Sequence, residues 1–455
     1  MKKTLLLASF LLIGNLVSAQ AEKWTNLFNG KDFTGFTQLN GKAIYEVKDG
    51  MMVGTTVYGT PNSFMATDKK YGDFILECDL LIDDSMNSGI QIRSISDPNI
   101  MNGRVHGYQV EIDPSERGWA GGIYDEARRG WLYQNERNPS AKKAFKNGEW
   151  NHYRIEAIGS IIRTWINDVP VAYLVDDMTA EGIIAFQVHA IGKKEDAGTQ
   201  IKWKNIKIQT GKDMRPRPTT AETTPPVENY TLNTISEGEK VLGYHLLFNG
   251  KDLTGWRAAF STNPPPSVWT VEDGQLHVNG KGGQEARDGG DIISKEEFSA
   301  FEISFDFKLT EGANSGFKYF VNETYNSGKS AIGLEYQVLD DERHPDAKLG
   351  TEGNRTLASL YDLIPSEKVN ARFKSKIGDW NRARVVVYPN NHVEHWHNGF
   401  KVLEYERGGP AYRVLVAHSK HKVWPGFGMM EKGPVLFQEH GDSVFYKNIK
   451  VRSIK

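Results

Sequence analysis

Apolar residues along this chain recur with a period of two, or gather in short β-branched and aromatic runs, and no stretch shows a convincing helical stripe. Phe74 to Ile82, Tyr153 to Ile158, Phe301 to Leu309 and Arg384 to Tyr388 are the clearest cases. Side chains alternate faces along a strand, so this pattern predicts β-strands that bury one face. Asp49-Gly50, Asp273-Gly274 and Asn398-Gly399 punctuate the runs and predict tight turns. The expected class is all-β, built from sandwiches of the jelly-roll kind.

The pattern is written twice. Leu27-Phe-Asn-Gly-Lys-Asp-Phe-Thr-Gly-Phe36 returns as Leu247-Phe-Asn-Gly-Lys-Asp-Leu-Thr-Gly-Trp256, with eight of ten residues identical. Further matches keep step: Asn87-Ser-Gly with Asn314-Ser-Gly, Tyr108-Gln-Val with Tyr336-Gln-Val, Tyr124-Asp125 with Tyr361-Asp362, and Lys204-Asn-Ile with Lys447-Asn-Ile. So long a period excludes a solenoid. The expected organisation is a signal peptide at 1–19, a first domain at 22–210, a Pro/Thr-rich semi-rigid linker at 211–240 and a second domain at 241–455. Lys2 and Lys3, the apolar run Leu5 to Ile13 and Val17-Ser-Ala19 carry the signal-peptide reading, and no Cys follows for lipid attachment. A periplasmic or secreted location follows from it, and the apolar run is too short to span a bilayer.

Charge and cysteine content narrow the classes. A net charge of −2 provides no basic field for nucleic acid or anionic membranes. The lone Cys78 excludes intrachain disulfides and reads as a small buried hydrophobe. Phosphate loops, Cys-x-x-Cys pairs and Gly-x-Ser-x-Gly elbows are absent from the sequence.

Strand parity locates the candidate chemistry. In Gly107 to Asp113, Tyr108, Val110 and Ile112 take one face, while Gln109, Glu111 and Asp113 take the other. Gln91 and Arg93 share the polar face of the neighbouring run, as do Gln187 and His189 of theirs. The second copy supplies Lys318, Glu335, Gln337, Gln438, His440 and either Asp341 or, with a bulge, Asp340. Solvated sheet faces are the plain alternative, but the same polar types recur in both copies. The run His392-Val-Glu-His395-Trp-His397 is read as a surface strand, because His392 breaks parity and the first copy has Arg163-Thr-Trp-Ile-Asn167 there.

The opening phrase, Asn314-Ser-Gly, Glu335-Tyr-Gln-Val-Leu-Asp-Asp341, Tyr361-Asp362, Trp380-Asn381 and the closing Lys-Asn-Ile resemble the 3-keto-disaccharide hydrolase family, in two tandem copies. The resemblance implies concanavalin A-like jelly rolls and action on glycosides oxidised at C3 by a partner sugar 3-dehydrogenase. It implies His440 or Glu335 as base or acid, Lys318 as enolate stabiliser, and Gln337, Asp341, Tyr361 and Gln438 as sugar ligands. The first copy would use His189, Glu111, Arg93, Gln109, Asp113, Tyr124, Gln187 and Gln91. There Gly107 is read as standing where Glu335 does, so one domain is expected to catalyse and the other to bind carbohydrate. A lectin-like binding protein and an ordinary two-carboxylate glycoside hydrolase are the competing readings. The sequence leaves open whether a divalent ion such as Ca²⁺ is bound.

Overall fold

The computed structural model describes residues 23–280, 290–325, 330–368 and 377–455; the signal-peptide reading of 1–19 lies outside them. Two β-sandwiches follow one another, each a pair of largely antiparallel sheets. In the first, a nine-stranded sheet centred on Phe74–Ile82 and Gln200–Thr210 faces a seven-stranded sheet. The latter runs Gly130–Tyr133, Ile123–Glu126, His106–Ile112, Ser88–Ile95, Ile183–Val188, Ser63–Thr67 and Phe36–Asn40. In the second, an eight-stranded sheet centred on Phe301–Leu309 and Val444–Ser453 faces a five-stranded one. That smaller sheet runs Trp256–Ala258, Ile292–Phe298, Gly433–Phe437, Asn314–Asn322 and Ile332–Leu339. Each domain is therefore a jelly roll.

The periodicity of two explains the cores. Phe74, Leu76, Cys78, Leu80 and Ile82 point inward against Tyr108, Val110 and Ile112; Phe301, Ile303, Phe305, Phe307 and Leu309 do the same against Phe317, Tyr336 and Phe437. Cys78 is buried, as its apolar surroundings predict. The three expected turns hold both residues at positive φ, from 46° at Asn398 to 87° at Gly399, the mirror-image turn that suits hairpin twist.

Three findings depart from the sequence reading. A helix, Pro410–His418, and the 3₁₀ turn Lys420–Val423 stand between Phe400–Glu406 and Gly433–Phe437, where the first copy has only the short connection 176–182. His395 and His397 are fully buried rather than on a surface strand. Tyr319 and Tyr336 hydroxyls meet them at 2.9 Å, and burial pushes His395 down to about 4, so it is a neutral core group.

The third concerns 211–240. Its strand Val227–Asn229 pairs in parallel with Tyr173–Val175 of the first domain. The short helix Glu237–Val241 opens on a capping box between Ser236 and Glu239, and Glu239 holds the buried Lys450 at 2.7 Å. Glu228 meets Arg137 of the first sandwich at 2.9 Å and Arg382 and Arg384 of the second at 2.8 and 3.0 Å. Arg137 also reaches Glu302 at 2.6 Å, and Arg452 meets Glu302 at 2.7 Å. A dense charge network thus clamps the two sandwiches.

Burial alone would raise the Glu302 carboxyl, but Arg137 and Arg452 outweigh it and hold it below the usual range. Such a group stabilises the fold above the unfolded carboxylate range, and that stability is lost as pH falls through its lowered value. Glu302→Gln should therefore cost about 3 kcal/mol at pH 7, because Arg137, Arg452 and Arg384 (3.3 Å away) lose their common partner. The deficit in thermal or denaturant unfolding should shrink in acid, where the wild type loses the same charge.

Candidate active site

The second domain carries a cleft of about 490 Å³ on the outer face of its smaller sheet. Its floor is set by strand register. Lys318 stands directly opposite Glu335, and Gly316 opposite Gln337, while the Gln438 amide donates to the Gly316 carbonyl at 3.0 Å. Gly316 is essential to this floor. A Cβ there would lie 2.0 Å from Glu335 Oε1 and 3.2 Å from Gln438 Oε1; only glycine lets the Glu335 side chain lie across the neighbouring strand. Lys318 is 6% exposed and its ammonium donates to the Ala331 carbonyl at 3.4 Å, while Glu335 is half-buried, so the two opposed charges face the cleft from one desolvated and one partly solvated position.

Loops raise the walls. The Tyr361 amide donates to the Glu335 carbonyl, and its hydroxyl donates to Asp346 at 2.7 Å. Burial and the Glu335 charge hold that phenol well above its ordinary value, so it stays protonated. The helical segment missed in the sequence contributes Lys420, His421 and Trp424. The Lys420 ammonium sits 4.1 Å from the Tyr361 ring, Trp424 stacks with Tyr325 at 5.9 Å, and burial with the Lys420 charge pushes His421 down to about 4. His440 closes one side, its ring 5.8 Å from that of His344. Asn314 Oδ1, Gln337 Oε1 and His440 Nδ1 are buried without hydrogen-bond partners, although buried polar atoms are rarely left so. Their convergence on one cleft marks a place built for a polar ligand.

Lys318, Glu335, Gln337, Tyr361, Gln438 and His440 thus come together. Asp340 and Asp341 do not: they lie in a separate depression with Arg343. Asp340 accepts from the Gly312 amide at 3.0 Å, and Asp341 accepts from the Leu357 amide at 2.6 Å while pairing with Lys368 at 3.3 Å. These carboxylates pin loops beside the cleft.

The first domain holds a smaller pocket of about 380 Å³ that includes Gln109, Glu111, Tyr124 and His189. Its register corrects one correspondence. Gln91 pairs with Gln109 and Gly89 with Glu111, and a Cβ on Gly89 would meet the Gln109 side chain at 2.4 Å. Gln109, not Gly107, therefore occupies the position of Glu335, Gln91 that of Lys318, and Glu111 that of Gln337. Matching Tyr108-Gln-Val to Tyr336-Gln-Val slips the strand by two residues, a shift that preserves parity and so leaves no trace in the pattern.

Arg93 leaves the polar face. The strand bulges between Ile92 and Ile95 and Arg93 takes φ of 45°, which sends its guanidinium to Asp73 at 2.9 Å and to the Gly72 and Gly159 carbonyls. Asp113 accepts from Arg117 at 2.8 Å and from the Ser115 amide at 3.0 Å and is absent from the pocket lining. Gln91 and Gln187 lie fully buried beneath the pocket, both donating to Gln109 Oε1.

As for metals, His344, His440 and Asp442 bring one donor atom each within 4.8 Å of one another. Two imidazoles suit a transition ion better than calcium, which takes oxygen ligands. A second group, His392 with Glu394 and Glu404, is already engaged by Lys401 at 3.4 and 2.6 Å from the two carboxylates.

A carboxylate and an ammonium opposed in register, with imidazole and aromatic walls on a jelly-roll sheet, suit a carbohydrate-active enzyme. The chain belongs to the family described as the 3-keto-alpha-glucoside-1,2-lyase-like domain, which matches residues 23–209 and again 243–452. It is 38% identical over 231 residues to the 3-keto-disaccharide hydrolase of Bacteroides thetaiotaomicron, covering 46% of this chain and 78% of that one. Among solved structures it is similar to a candidate glycosyl hydrolase from Parabacteroides distasonis, at 31% identity and TM-score 0.43, covering 50% of this chain and 100% of that one. A carbohydrate-binding module from Bacillus subtilis matches at 16% identity and TM-score 0.29, covering 39% and 96%.

Burial pushes Glu111 up to about 7, against the hydrogen bonds from Asn87 and Gln109 and the charge of Arg117. A carboxyl raised in the folded state binds protons that the unfolded chain releases, so its contribution to stability falls as pH rises from about 4.5 towards 7. Glu111→Gln should therefore raise the melting temperature, relative to wild type, more at pH 8 than at pH 5 in differential scanning calorimetry.

Proposed function

We propose that the second-domain cleft cleaves the glycosidic bond of 3-keto-glycosides by elimination and hydration. The carrying observation is the placing of Glu335 and Lys318 opposite each other on the cleft floor by register, with the Glu335 carboxylate lying over the missing side chain of Gly316. A keto group at C3 acidifies the proton on C2. Glu335 takes that proton, the C2–H electrons form the enolate, and the Lys318 ammonium holds the negative oxygen on C3. Collapse of the enolate forms a C1–C2 double bond and expels the C1 oxygen, which receives a proton from His440. Water then adds at C1, a proton returns to C2, and the 3-keto sugar leaves. Gln337, Gln438 and Asn314 serve as hydroxyl ligands, while Tyr361 and Trp424 flank the ring.

The reading is supported by family membership and by the relative from Bacteroides thetaiotaomicron, named for hydrolysis of 3-keto-disaccharides. An upstream sugar 3-dehydrogenase must then supply the substrate, because the cleft's own residues perform no oxidation. Action outside the cytoplasm fits the basic–apolar–small pattern of residues 2–19; among the described residues no helix is long and apolar enough to cross a membrane. A divalent ion at His344, His440 and Asp442 would have to share His440 with leaving-group protonation.

The test is a comparison of a 3-keto-glucoside with its unoxidised parent. The wild type should cleave the keto sugar alone. Glu335→Gln and Lys318→Met should each lower kcat at least about a hundredfold, a proton-transfer or oxyanion-stabilising contribution, with circular dichroism unchanged. Gly316→Ala should fall nearly as far by displacing Glu335. Cleavage of the unoxidised parent that depends on paired carboxylates would favour an ordinary glycoside hydrolase instead.

A further inference from the structure

The first-domain pocket keeps the strand register of the second but not its opposed carboxylate and ammonium. At the crossing over Gly89 lies Gln109, an amide of the same length as the carboxylate over Gly316; opposite it stands Gln91 in place of Lys318. Neither amide exchanges a proton near neutral pH. The floor is also locked internally. Ser94 donates to Gln91 Oε1 at 2.7 Å, Gln91 to Gln109 Oε1 at 2.7 Å, and Gln109 to Glu111 Oε2 at 3.0 Å. Glu111 takes further bonds from Asn87 at 2.9 Å and Arg117 at 3.3 Å, so three side chains hold its carboxyl in place.

What remains open to the pocket is recognition chemistry. His189 donates from Nδ1 to the Ala190 carbonyl at 2.7 Å, a tautomer that leaves Nε2 as an acceptor for a hydroxyl. Trp131 packs edge-on against Tyr124 at 5.3 Å, and the Arg117 guanidinium lies 5.1 Å from its ring. Each charged group is paired, Arg104 with Glu126 at 3.0 Å and Arg117 with Asp113 at 2.7 Å and Glu111 at 3.3 Å, so no unpaired charge is offered to a charged sugar. Trp131 also lines a second cleft of about 500 Å³ between the sandwiches, with Gln134, Trp380 and Asn398.

We propose that the first-domain pocket is a binding site for a neutral, unoxidised oligosaccharide, which it holds without cleaving. The non-cleaving half rests on the chemistry assigned to the second cleft; the binding half stands independently. Isothermal titration of the full chain with cellotetraose, maltotetraose and xylotetraose tests it. At least one should bind saturably, and Trp131→Ala and Asn87→Ala should each weaken it about tenfold, the loss expected for one stacking or hydrogen-bonding contact. Both variants should cleave a 3-keto-glucoside within about twofold of the wild-type rate, since neither residue touches the second cleft. Glu335→Gln should abolish cleavage and leave the titration unchanged.

Failure of all three tetrasaccharides to bind at millimolar concentration, or loss of binding in Glu335→Gln with none in Trp131→Ala and Asn87→Ala, overturns the binding site. Cleavage that survives Glu335→Gln and is lost in Glu111→Gln overturns the non-cleaving half. Cleavage that survives both variants contradicts the chemistry assigned to the second cleft, and the titration then still decides whether the first pocket binds.

Discussion

A carboxylate can lie across the face of a sheet only where the next strand offers no side chain at the crossing. Gly316 meets that requirement for Glu335, and the rest of the second cleft is arranged around it. Register puts Lys318 opposite, the Tyr361 loop is hydrogen-bonded to the Glu335 backbone, and Gln438 is tied to Gly316. The apolar parity of the same strands fills the core from below with Phe317, Tyr336 and Phe437. One alternation therefore builds both the packing and the polar floor, and the glycine decides what that floor can hold.

The two copies show how little must change to alter chemistry on a fixed scaffold. Gly89 keeps the crossing open in the first domain, but an amide fills it. With the ammonium also replaced by Gln91, the first floor's amides bond one another and leave Gln187 Oε1 as their buried atom without a partner; in the second cleft, Asn314, Gln337 and His440 each keep one. The Pro410–His418 insertion deepens the contrast by walling only the second site. The charge network through Glu228 and Glu302 then fixes the sandwiches against each other.

Much of this was legible in the sequence. The period-two runs identify the strands, and the parity of Gln109, Glu111, Gln337 and Gln438 places them on the polar faces. Other features were not, for definite reasons. A bulge reverses parity locally, so Arg93 turned away without warning. A two-residue slip keeps parity, so the Gln109–Glu335 equivalence was hidden behind a matching Tyr-Gln-Val. Asp340 and Asp341 sit just past the strand end, where parity no longer governs direction. The helix carrying the path to Lys420 and Trp424 is short and amphipathic only weakly, whereas the Ser236–Glu239 capping box was a readable signal inside a segment whose composition pointed to a tether.

The most direct measurement is proton NMR of cleavage of a 3-keto-glucoside in D₂O. If Glu335 removes the C2 proton ahead of bond cleavage, the released 3-keto sugar carries deuterium at C2 from the first turnover. Released sugar that retains its original C2 proton, at a time when the free product has not yet exchanged, would contradict elimination and with it the role given to the Glu335–Lys318 pair.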